Sequence, residues 1–225
     1  RLITVGPVLF IIGLLMSLLA VAMGLPAIAD LATGNPDWQV FAGSAAVSLF
    51  VGVSLMLTTR STSMTNLNLR QAFLLTTMSW VAVAAVGALP FAFSELEISV
   101  ADAFFESMSG ITTTGSTIIV GLDNAPPGIL LWRALLQWLG GVGIIVMAMA
   151  MLPILSVGGM QLFKAENFEN PEKVVPRATS LTRGIFLIYS ALTLIWASLL
   201  YFSGMSFFDS ILHSMTTIAT GGYST

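Results

Sequence analysis

Two short stretches rich in threonine and glycine lie in an otherwise apolar chain. They are TTTGS, the first Thr-Gly stretch (Thr112–Ser116), and ATGGY, the second Thr-Gly stretch (Ala219–Tyr223). Glycine adopts backbone angles that other residues avoid, and this freedom lets successive carbonyl groups point the same way. Rings of such carbonyls replace the water around a cation in the TVGYG loops of potassium filters. The chemistry that these stretches favour is therefore coordination of a cation by backbone oxygens.

The two stretches belong to an internal repeat that aligns without a gap. DAFFESMSGITTTGSTI begins at Asp102 and DSILHSMTTIATGGYST begins at Asp209, so each residue of the second copy lies 107 positions after its counterpart. A serine precedes the aspartate by three residues in both copies, Ser99 in SVAD and Ser206 in SFFD. This spacing resembles a capping box, which predicts the start of a helix. The duplication supports a cation function better than one Thr-Gly pair does, because both residues are also common where membrane helices pack.

Each Thr-Gly stretch is predicted to follow a capped helix of about ten residues, which is too short to cross a bilayer of roughly 30 Å. A long apolar helix precedes that short helix in both copies. Irregular backbone at membrane depth is stable only where protein buries it or where it lines a watery cavity. We therefore expect both stretches to be re-entrant loops whose carbonyls bind a ligand. The alternative is a pair of structural turns that bind no ion.

The composition indicates an integral membrane protein. Of 225 residues, 56% are hydrophobic and only 8% are charged, whereas about 25% are charged in a typical soluble domain. With no cysteine and one histidine, the chain has no disulfide, thiolate metal site or multi-histidine site. Nucleotide-binding glycine motifs and a catalytic cluster are also missing from the sequence, so we expect no organic cofactor and no enzyme. Five apolar runs are candidate membrane spans: Gly6–Ala29, Trp38–Thr58, Phe73–Phe93, Gly128–Leu155 and Gly184–Phe202.

The predicted fold is an all-α integral membrane protein with tandem repeats of helix, pore helix, filter and helix. The first two spans carry no re-entrant loop and are expected to form an added hairpin. The glycines of LGGVGII are either a hinge or a site of close helix packing. The charged linker KAENFENPEKVVPR (Lys164–Arg177) is either a solvated connector or a docking surface for a soluble partner. The predicted divisions are an N-terminal two-helix hairpin (1–60), a first pore repeat (70–160), a cytoplasmic linker (161–183) and a second pore repeat truncated after its filter (184–225).

The charged residues predict the orientation of the spans. If the five spans alternate in direction, all lysines and arginines except Arg133 fall on one side of the membrane. Cytoplasmic loops carry the excess of these residues, so we expect a cytoplasmic N-terminus. Most acidic residues fall on the other side, where they either line a vestibule that concentrates cations or serve as ordinary loop charges.

Four side chains are candidates for supporting the vestibule and the Thr-Gly stretches. Asp102 and Asp209 begin the short helices, and Glu106 and His213 occupy equivalent positions within them. His213 either tunes the charge of the vestibule near neutral pH or is a packed, hydrogen-bonded residue. Arg133 either extends toward the outer interface or pairs with Glu106 or Asp102 behind the filter.

With these motifs in place, the chain resembles the potassium uptake proteins of the TrkH/TrkG type, in the superfamily that also holds KtrB and plant HKT transporters. The resemblance covers essentially the whole chain and is carried by DAFFESMSGITTTGSTIIVGLD, LLQWLGGVGIIVMAMAMLPILSVGGMQL and HSMTTIATGGYST. The family is similar to four fused potassium-channel repeats around one pore. The resemblance implies that Gly115 and Gly222 are filter glycines, and a serine at the first position is associated with sodium in some plant members. It further implies that these carbonyls line the filter: Thr112, Thr113, Thr114, Ala219, Thr220 and Gly221.

The resemblance also implies the ligand, the location and the partners. We expect potassium as the transported ion, taken up selectively by a multi-pass translocation subunit in a bacterial inner membrane. Only one complete repeat and most of a second are present, so we expect a fragment completed by two further pore repeats of the same polypeptide. The implied partners are the lipid bilayer, a second copy in a homodimer and a cytosolic TrkA-type nucleotide-binding regulator, with no nucleic acid. The alternatives are a sodium or coupled cation transporter of the same superfamily and a non-conducting membrane scaffold.

Overall fold

The structure is built from helices. The computed structural model describes residues 5–60, 69–155 and 174–225. Within these ranges the chain forms eight α-helices and one short 3-10 turn, with no β-strand. The predicted all-α class is therefore confirmed. The helices are α1 (Gly6–Ala22), α2 (Gly24–Thr33), α3 (Trp38–Thr59), α4 (Leu69–Phe93), α5 (Val100–Ile111), α6 (Pro127–Leu155), α7 (Val174–Phe202) and α8 (Phe207–Ile218).

Five segments of the described residues are long and apolar enough to cross a membrane, and they match the five predicted spans. The short helices α5 and α8 have 12 residues each and lie outside these spans. The two extra helices thus occupy the positions predicted for re-entrant segments. The spanning segments are Gly6–Thr33, Trp38–Thr59, Arg70–Phe93, Pro127–Ile145 and Arg183–Phe202.

A proline divides the first span into two helices. Pro26 has no backbone N–H, so the carbonyl of Ala22 loses its hydrogen-bond partner four residues later. α1 ends at Ala22, Met23 keeps helical angles (φ −61°, ψ −18°), and α2 extends the run to Thr33. The first span was predicted as one helix ending at Ala29, and the structure corrects both its continuity and its end.

The structure describes only the last part of the linker predicted at 161–183. α7 begins at Val174, inside that range, and the preceding part of the linker lies outside the described residues. Pro176 falls in the first turn of α7, where the N–H groups make no hydrogen bond within the helix, so that a proline costs none. The proline therefore lies at a position that the start of a long helix tolerates.

Small residues hold the N-terminal hairpin together. A Cβ on Gly13 of α1 would lie 2.6 Å from the carbonyl oxygen of Gly52 of α3. The hydroxyl of Ser17 donates to the carbonyl of Gly13 at 2.8 Å. Ser44, Ser48 and Gly52 follow one face of α3 at intervals of four residues, and all three are buried. Such small residues let two membrane helices approach closely.

The hairpin also packs against the first pore repeat. Asp30 of α2 is fully buried, and its Oδ1 accepts the N–H of Gly128 at 2.6 Å. Gly128 is the second residue of α6, where N–H groups have no partner within the helix. Nearby, the rings of Phe41 and Trp132 meet edge to face with their centroids 6.2 Å apart. The hairpin therefore fixes the start of the helix that contacts both Thr-Gly stretches.

Candidate functional site

The two short helices begin with the same cap. Ser99 Oγ accepts the N–H of Asp102, and Ser206 Oγ accepts the N–H of Asp209, at 3.1 Å in both cases. The predicted serine caps are confirmed. Each serine hydroxyl donates to the carboxylate of the same aspartate, at 2.7 and 2.6 Å. In the second copy this hydrogen bond from Ser206 holds the pKa of Asp209 below its usual range.

The aspartates lie far from the Thr-Gly stretches along the helices. A helix of 12 residues is about 18 Å long, and the stretches begin at its other end. Asp102 thus lies at the end of its helix opposite the turn, whereas Asp209 is also hydrogen-bonded to Thr225, two residues after the second stretch.

α5 ends in a left-handed turn at Thr113. The N–H of Thr113 donates to the carbonyl of Gly110 at 3.0 Å, and the N–H of Thr114 donates to the carbonyl of Ser109 at 2.9 Å. This pair of bonds is the Schellman motif, which satisfies the last carbonyls of a helix. The motif needs a positive φ, and glycine is its usual residue. Here Thr113 supplies it, with a φ of 56°.

α8 ends in the same way at the aligned positions. Thr220 donates to the carbonyl of Thr217 and Gly221 donates to the carbonyl of Thr216, both at 2.9 Å, and Thr220 has a φ of 54°. A β-branched residue with a positive φ is a genuine outlier, and each such residue holds about 1–3 kcal/mol of strain. The same strain at the same position in two copies marks these turns as a candidate functional site.

A glycine with a positive φ follows two residues later in each copy. The φ angles are 80° for Gly115 and 79° for Gly222. A Cβ on Gly115 would overlap the carbonyl oxygen of Gly221, so the two Thr-Gly stretches are in contact. Around Gly222 the space is open to 4 Å within the described part of the chain. The structure therefore brings the predicted filter residues together, and their role as cation ligands stays a prediction.

Threonine hydroxyls brace only the first of these turns. Thr112 Oγ1 donates to the carbonyl of Met108 at 2.7 Å and lies 2.8 Å from Thr114 Oγ1. The equivalent residues of the second copy, Ala219 and Gly221, have no hydroxyl. Because the turn forms in both copies, these hydroxyls are not required for it.

A buried ion pair lies behind the first Thr-Gly stretch. Arg133 Nε is 2.8 Å from Glu106 Oε1, and the two side chains are 1% and 0% exposed. Of the alternatives left open for Arg133, the structure shows the pairing with Glu106. The carboxylate also accepts the hydroxyl of Thr117 at 2.9 Å and the N–H of Ile118 at 3.1 Å. Glu106 therefore ties α5, α6 and the residues after the first stretch together.

Tyr223 links the two copies. The guanidinium of Arg133 lies over its ring, 4.1 Å from the centroid. The phenol donates to the carbonyl of Glu106 at 2.9 Å and approaches that of Ser116 at 3.3 Å. Arg133 also donates to the carbonyl of Ser224 at 2.8 Å. Burial raises the pKa of Tyr223, so the phenol stays protonated and keeps its donor role.

His213 makes in the second copy the contact that Glu106 makes in the first. Its Nε2 lies 3.2 Å from Ser224 Oγ, and Ser224 is the repeat equivalent of Thr117. Its Nδ1 donates to the carbonyl of Asp209 at 2.9 Å. A neutral ring with this tautomer accepts the Ser224 hydroxyl at Nε2. His213 is thus a packed, hydrogen-bonded residue, and a role in tuning the vestibule charge is still a prediction.

Two adjacent glycines let α6 pass close to the ends of both short helices. A Cβ on Gly140 would overlap the carbonyl oxygen of Ile111, the last residue of α5. A Cβ on Gly141 would lie 3.2 Å from Cα of Ala219, in the second Thr-Gly stretch. The structure supports the interpretation of these glycines as close packing, and a hinge there stays a prediction.

A match to a known family model identifies the family of this chain. The family model TrkH, described as a cation transport protein, matches residues 37–225. The chain belongs to the TrkH cation transport family.

Other members of the TrkH family match nearly the whole chain. The Trk system potassium uptake protein TrkH of Escherichia coli K12 is 45% identical over 219 residues, which are 96% of this chain and 45% of that protein. TrkI of Halomonas elongata is 39% identical over 97% of this chain and 44% of its own length. The crystal structure of the potassium transporter TrkH from Vibrio parahaemolyticus superposes with a TM-score of 0.86 at 38% identity, and covers 99% of this chain and 44% of that one. The chain thus spans less than half the length of these TrkH relatives.

Sequence reasoning missed two residues of this TrkH site, Gln137 and Tyr223. Gln137 Oε1 accepts the N–H of Tyr223 at 3.2 Å, and both residues are buried. A signal for Gln137 was available, because Arg133, Gln137 and Gly141 follow each other at intervals of four residues in an apolar helix. Such spacing puts polar and small residues on one helix face. Tyr223 gave no comparable signal, since its partners are distant in sequence.

Proposed function

We propose that this chain forms the first half of the pore of a selective potassium uptake transporter. The observation that carries the proposal is the pair of matching Thr-Gly turns, in contact with each other and each at the end of a capped 12-residue helix. Relatives named as Trk system potassium uptake proteins support potassium as the ion. The transport step is passage of an ion and involves no covalent chemistry.

The mechanism is dehydration at the outer side followed by coordination by backbone carbonyls. The C-terminal ends of α5 and α8 carry partial negative charge, which favours a cation at the turns. Strained turns at Thr113 and Thr220 hold the backbone out of the helical path at that point. The proposed filter residues are Thr112, Thr113, Thr114 and Gly115 of the first copy and Ala219, Thr220, Gly221 and Gly222 of the second.

The rest of the assembly is part of the same proposal. Two stretches make two sides of a ring that in potassium channels has four, so two further pore repeats of the same polypeptide complete it. The protein lies in the bacterial inner membrane with its N-terminus in the cytoplasm, because the lysines and arginines cluster on that side. It works as a homodimer with a cytosolic TrkA-type regulator.

The experiment compares Gly115→Ser with the parent, as full-length proteins in liposomes. Uptake of rubidium-86 is measured against excess external potassium or sodium. The parent is expected to show competition by potassium and little by sodium. Serine at position 115 meets the carbonyl of Gly221 and an unfavourable φ, so this difference is expected to disappear.

Gly34→Ser is the matched control. Gly34 also has a positive φ, 75°, but a Cβ there meets nothing within 4 Å, and it lies between α2 and α3. This variant carries similar backbone strain away from the Thr-Gly stretches and is expected to keep the parent's preference. Equal competition by both ions in the parent favours the sodium or coupled transporter. No uptake by the parent supports a scaffold, and an unchanged preference in Gly115→Ser would mean that the Thr-Gly stretches are structural turns.

A further inference from the structure

Gln137 is a fully buried amide in the middle of an apolar membrane-spanning helix. It lies on α6, four residues after Arg133 and four before Gly141. Its side chain is 0% exposed, and Oε1 accepts the N–H of Tyr223 at 3.2 Å. Polar side chains are expensive at membrane depth and are usually retained there for a function. Neither the ion pair between Arg133 and Glu106 nor the two short helices explain why Gln137 is polar.

The amide of Gln137 lies against both Thr-Gly stretches. A Cβ on Gly221 would overlap the amide carbon and oxygen of Gln137, so the second stretch passes directly over this side chain. A Cβ on Gly115 would lie 3.8 Å from Gln137 Nε2. One side chain of α6 therefore sets how closely the two stretches approach the helix.

The orientation of the amide follows from its partner. A backbone N–H can only donate, so the atom that faces Tyr223 N must be the amide oxygen. Nε2 then points elsewhere and has no acceptor among the residues that the structure describes. The energetically relevant contact is therefore the single bond from Tyr223 to Oε1.

This bond fixes the direction of a carbonyl in the second stretch. Tyr223 N and the carbonyl of Gly222 belong to one peptide group, and no cis peptide occurs in the described chain. In a planar trans peptide the N–H and the C=O point in opposite directions. Because the N–H points at Gln137, the carbonyl of Gly222 points away from α6.

We propose that Gln137 is a positioning residue that sets cation preference by holding the Gly222 carbonyl in this direction. The inference rests on the proposed function and names a side chain outside the filter that determines its specificity. Without the acceptor, the peptide between Gly222 and Tyr223 can rotate and its carbonyl leaves the fixed position. The cation then loses one fixed oxygen ligand, and its discrimination by size falls.

The test compares Gln137→Met with Gln137→Glu in the full-length protein. Methionine keeps the length and flexibility of the side chain but provides only a weak acceptor. Glutamate keeps a carboxyl oxygen at the position of Oε1, and burial favours its uncharged form, so that it adds no net charge beside the stretches. Gln71→Met is the matched control, because Gln71 is also buried in a spanning helix but lies at the end of α4 remote from α5. Two quantities are measured: the potassium-to-sodium preference in rubidium-86 uptake, and the hydrogen exchange rate of the Tyr223 amide.

We expect Gln137→Met to reduce the preference and to accelerate exchange at Tyr223, each about tenfold, which corresponds to the loss of one buried hydrogen bond. Gln137→Glu and Gln71→Met are expected to stay within about twofold of the parent in both quantities. Faster exchange with an unchanged preference overturns the inference, as does an unchanged exchange rate. A parent without any preference overturns the proposed function instead, and the exchange rates then still show whether the tether to Tyr223 exists.

Discussion

The two Thr-Gly stretches share a backbone and differ in what holds it. Both contain a Schellman turn whose threonine has a positive φ, 56° in the first and 54° in the second. In both, a glycine two residues later also has a positive φ, 80° and 79°. Behind the first stretch, Glu106 accepts the hydroxyl of Thr117. Behind the second, an imidazole takes the same position and contacts Ser224. The difference shows that the repeat preserves the chain path while the supporting chemistry varies.

The single buried ion pair of α6 explains why the supports differ. Arg133 supplies one buried charge, which Glu106 neutralises at 2.8 Å. A second carboxylate, at the position of His213, would have no positively charged partner, because Arg133 already pairs with Glu106. The imidazole of His213 instead contacts the hydroxyl of Ser224. Behind the first stretch the support is thus an ion pair. Behind the second it is the hydrogen bond between His213 and Ser224, together with the hydrogen bond from Arg133 to the carbonyl of Ser224.

The largest expected effect comes from removing the buried charge of Arg133, which pairs with Glu106 behind the first stretch and also donates to the carbonyl of Ser224 after the second. Arg133→Met leaves Glu106 buried without its partner, and breaking a buried pair in this way costs about 3–5 kcal/mol. The free energy of unfolding of the full-length protein in detergent, measured with a denaturant, should fall by that amount. Glu106→Gln in the same molecule should restore part of the loss, because no unpaired charge then remains.

Arg183→Met provides the matched control for this prediction. Arg183 is exposed at the start of the last spanning segment, and its loss should change the stability by less than about 0.5 kcal/mol. An Arg133→Met protein as stable as this control would show that the ion pair does not support the first loop.

Removing one hydroxyl from each loop tests the comparison more directly. Thr117→Val deletes a hydrogen bond to a carboxylate and should lower the free energy of unfolding by about 1.5–3 kcal/mol. Ser224→Ala deletes a hydrogen bond to an imidazole, 3.2 Å long, and should lower it by about 0.5–1.5 kcal/mol. The same denaturant measurement on both variants gives the ratio of the two losses in unfolding free energy. Equal losses would mean that the two supports are equivalent despite their different chemistry.

Local patterns predicted much of this fold, whereas contacts between distant residues escaped them. The repeat and the serine caps at Ser99 and Ser206 follow from spacing alone, because a cap is satisfied within four residues. The kink before Pro26 was also readable in principle, since proline removes a specific hydrogen bond. The bonds from Tyr223 to Glu106 and Gln137 join positions 117 and 86 residues apart. Such pairs depend on how α6 crosses both loops, which no local pattern encodes.

The smallest effect is expected where the two loops are most alike, at their strained threonines. Thr113→Gly and Thr220→Gly relieve about 1–2 kcal/mol of left-handed strain and add about 0.5–1 kcal/mol of unfolded-chain entropy. Both variants should therefore stay within about 1 kcal/mol of the parent's unfolding free energy and change it in the same direction. Thr76→Gly, the same substitution inside regular α4, relieves no such strain and should only destabilise, by about 0.3 kcal/mol from helix propensity. Glycine keeps the carbonyl and removes only the side chain, so rubidium uptake should keep its potassium preference in both loop variants. A preference lost in one variant alone would mean that its threonine side chain, and not the shared backbone, distinguishes the ions.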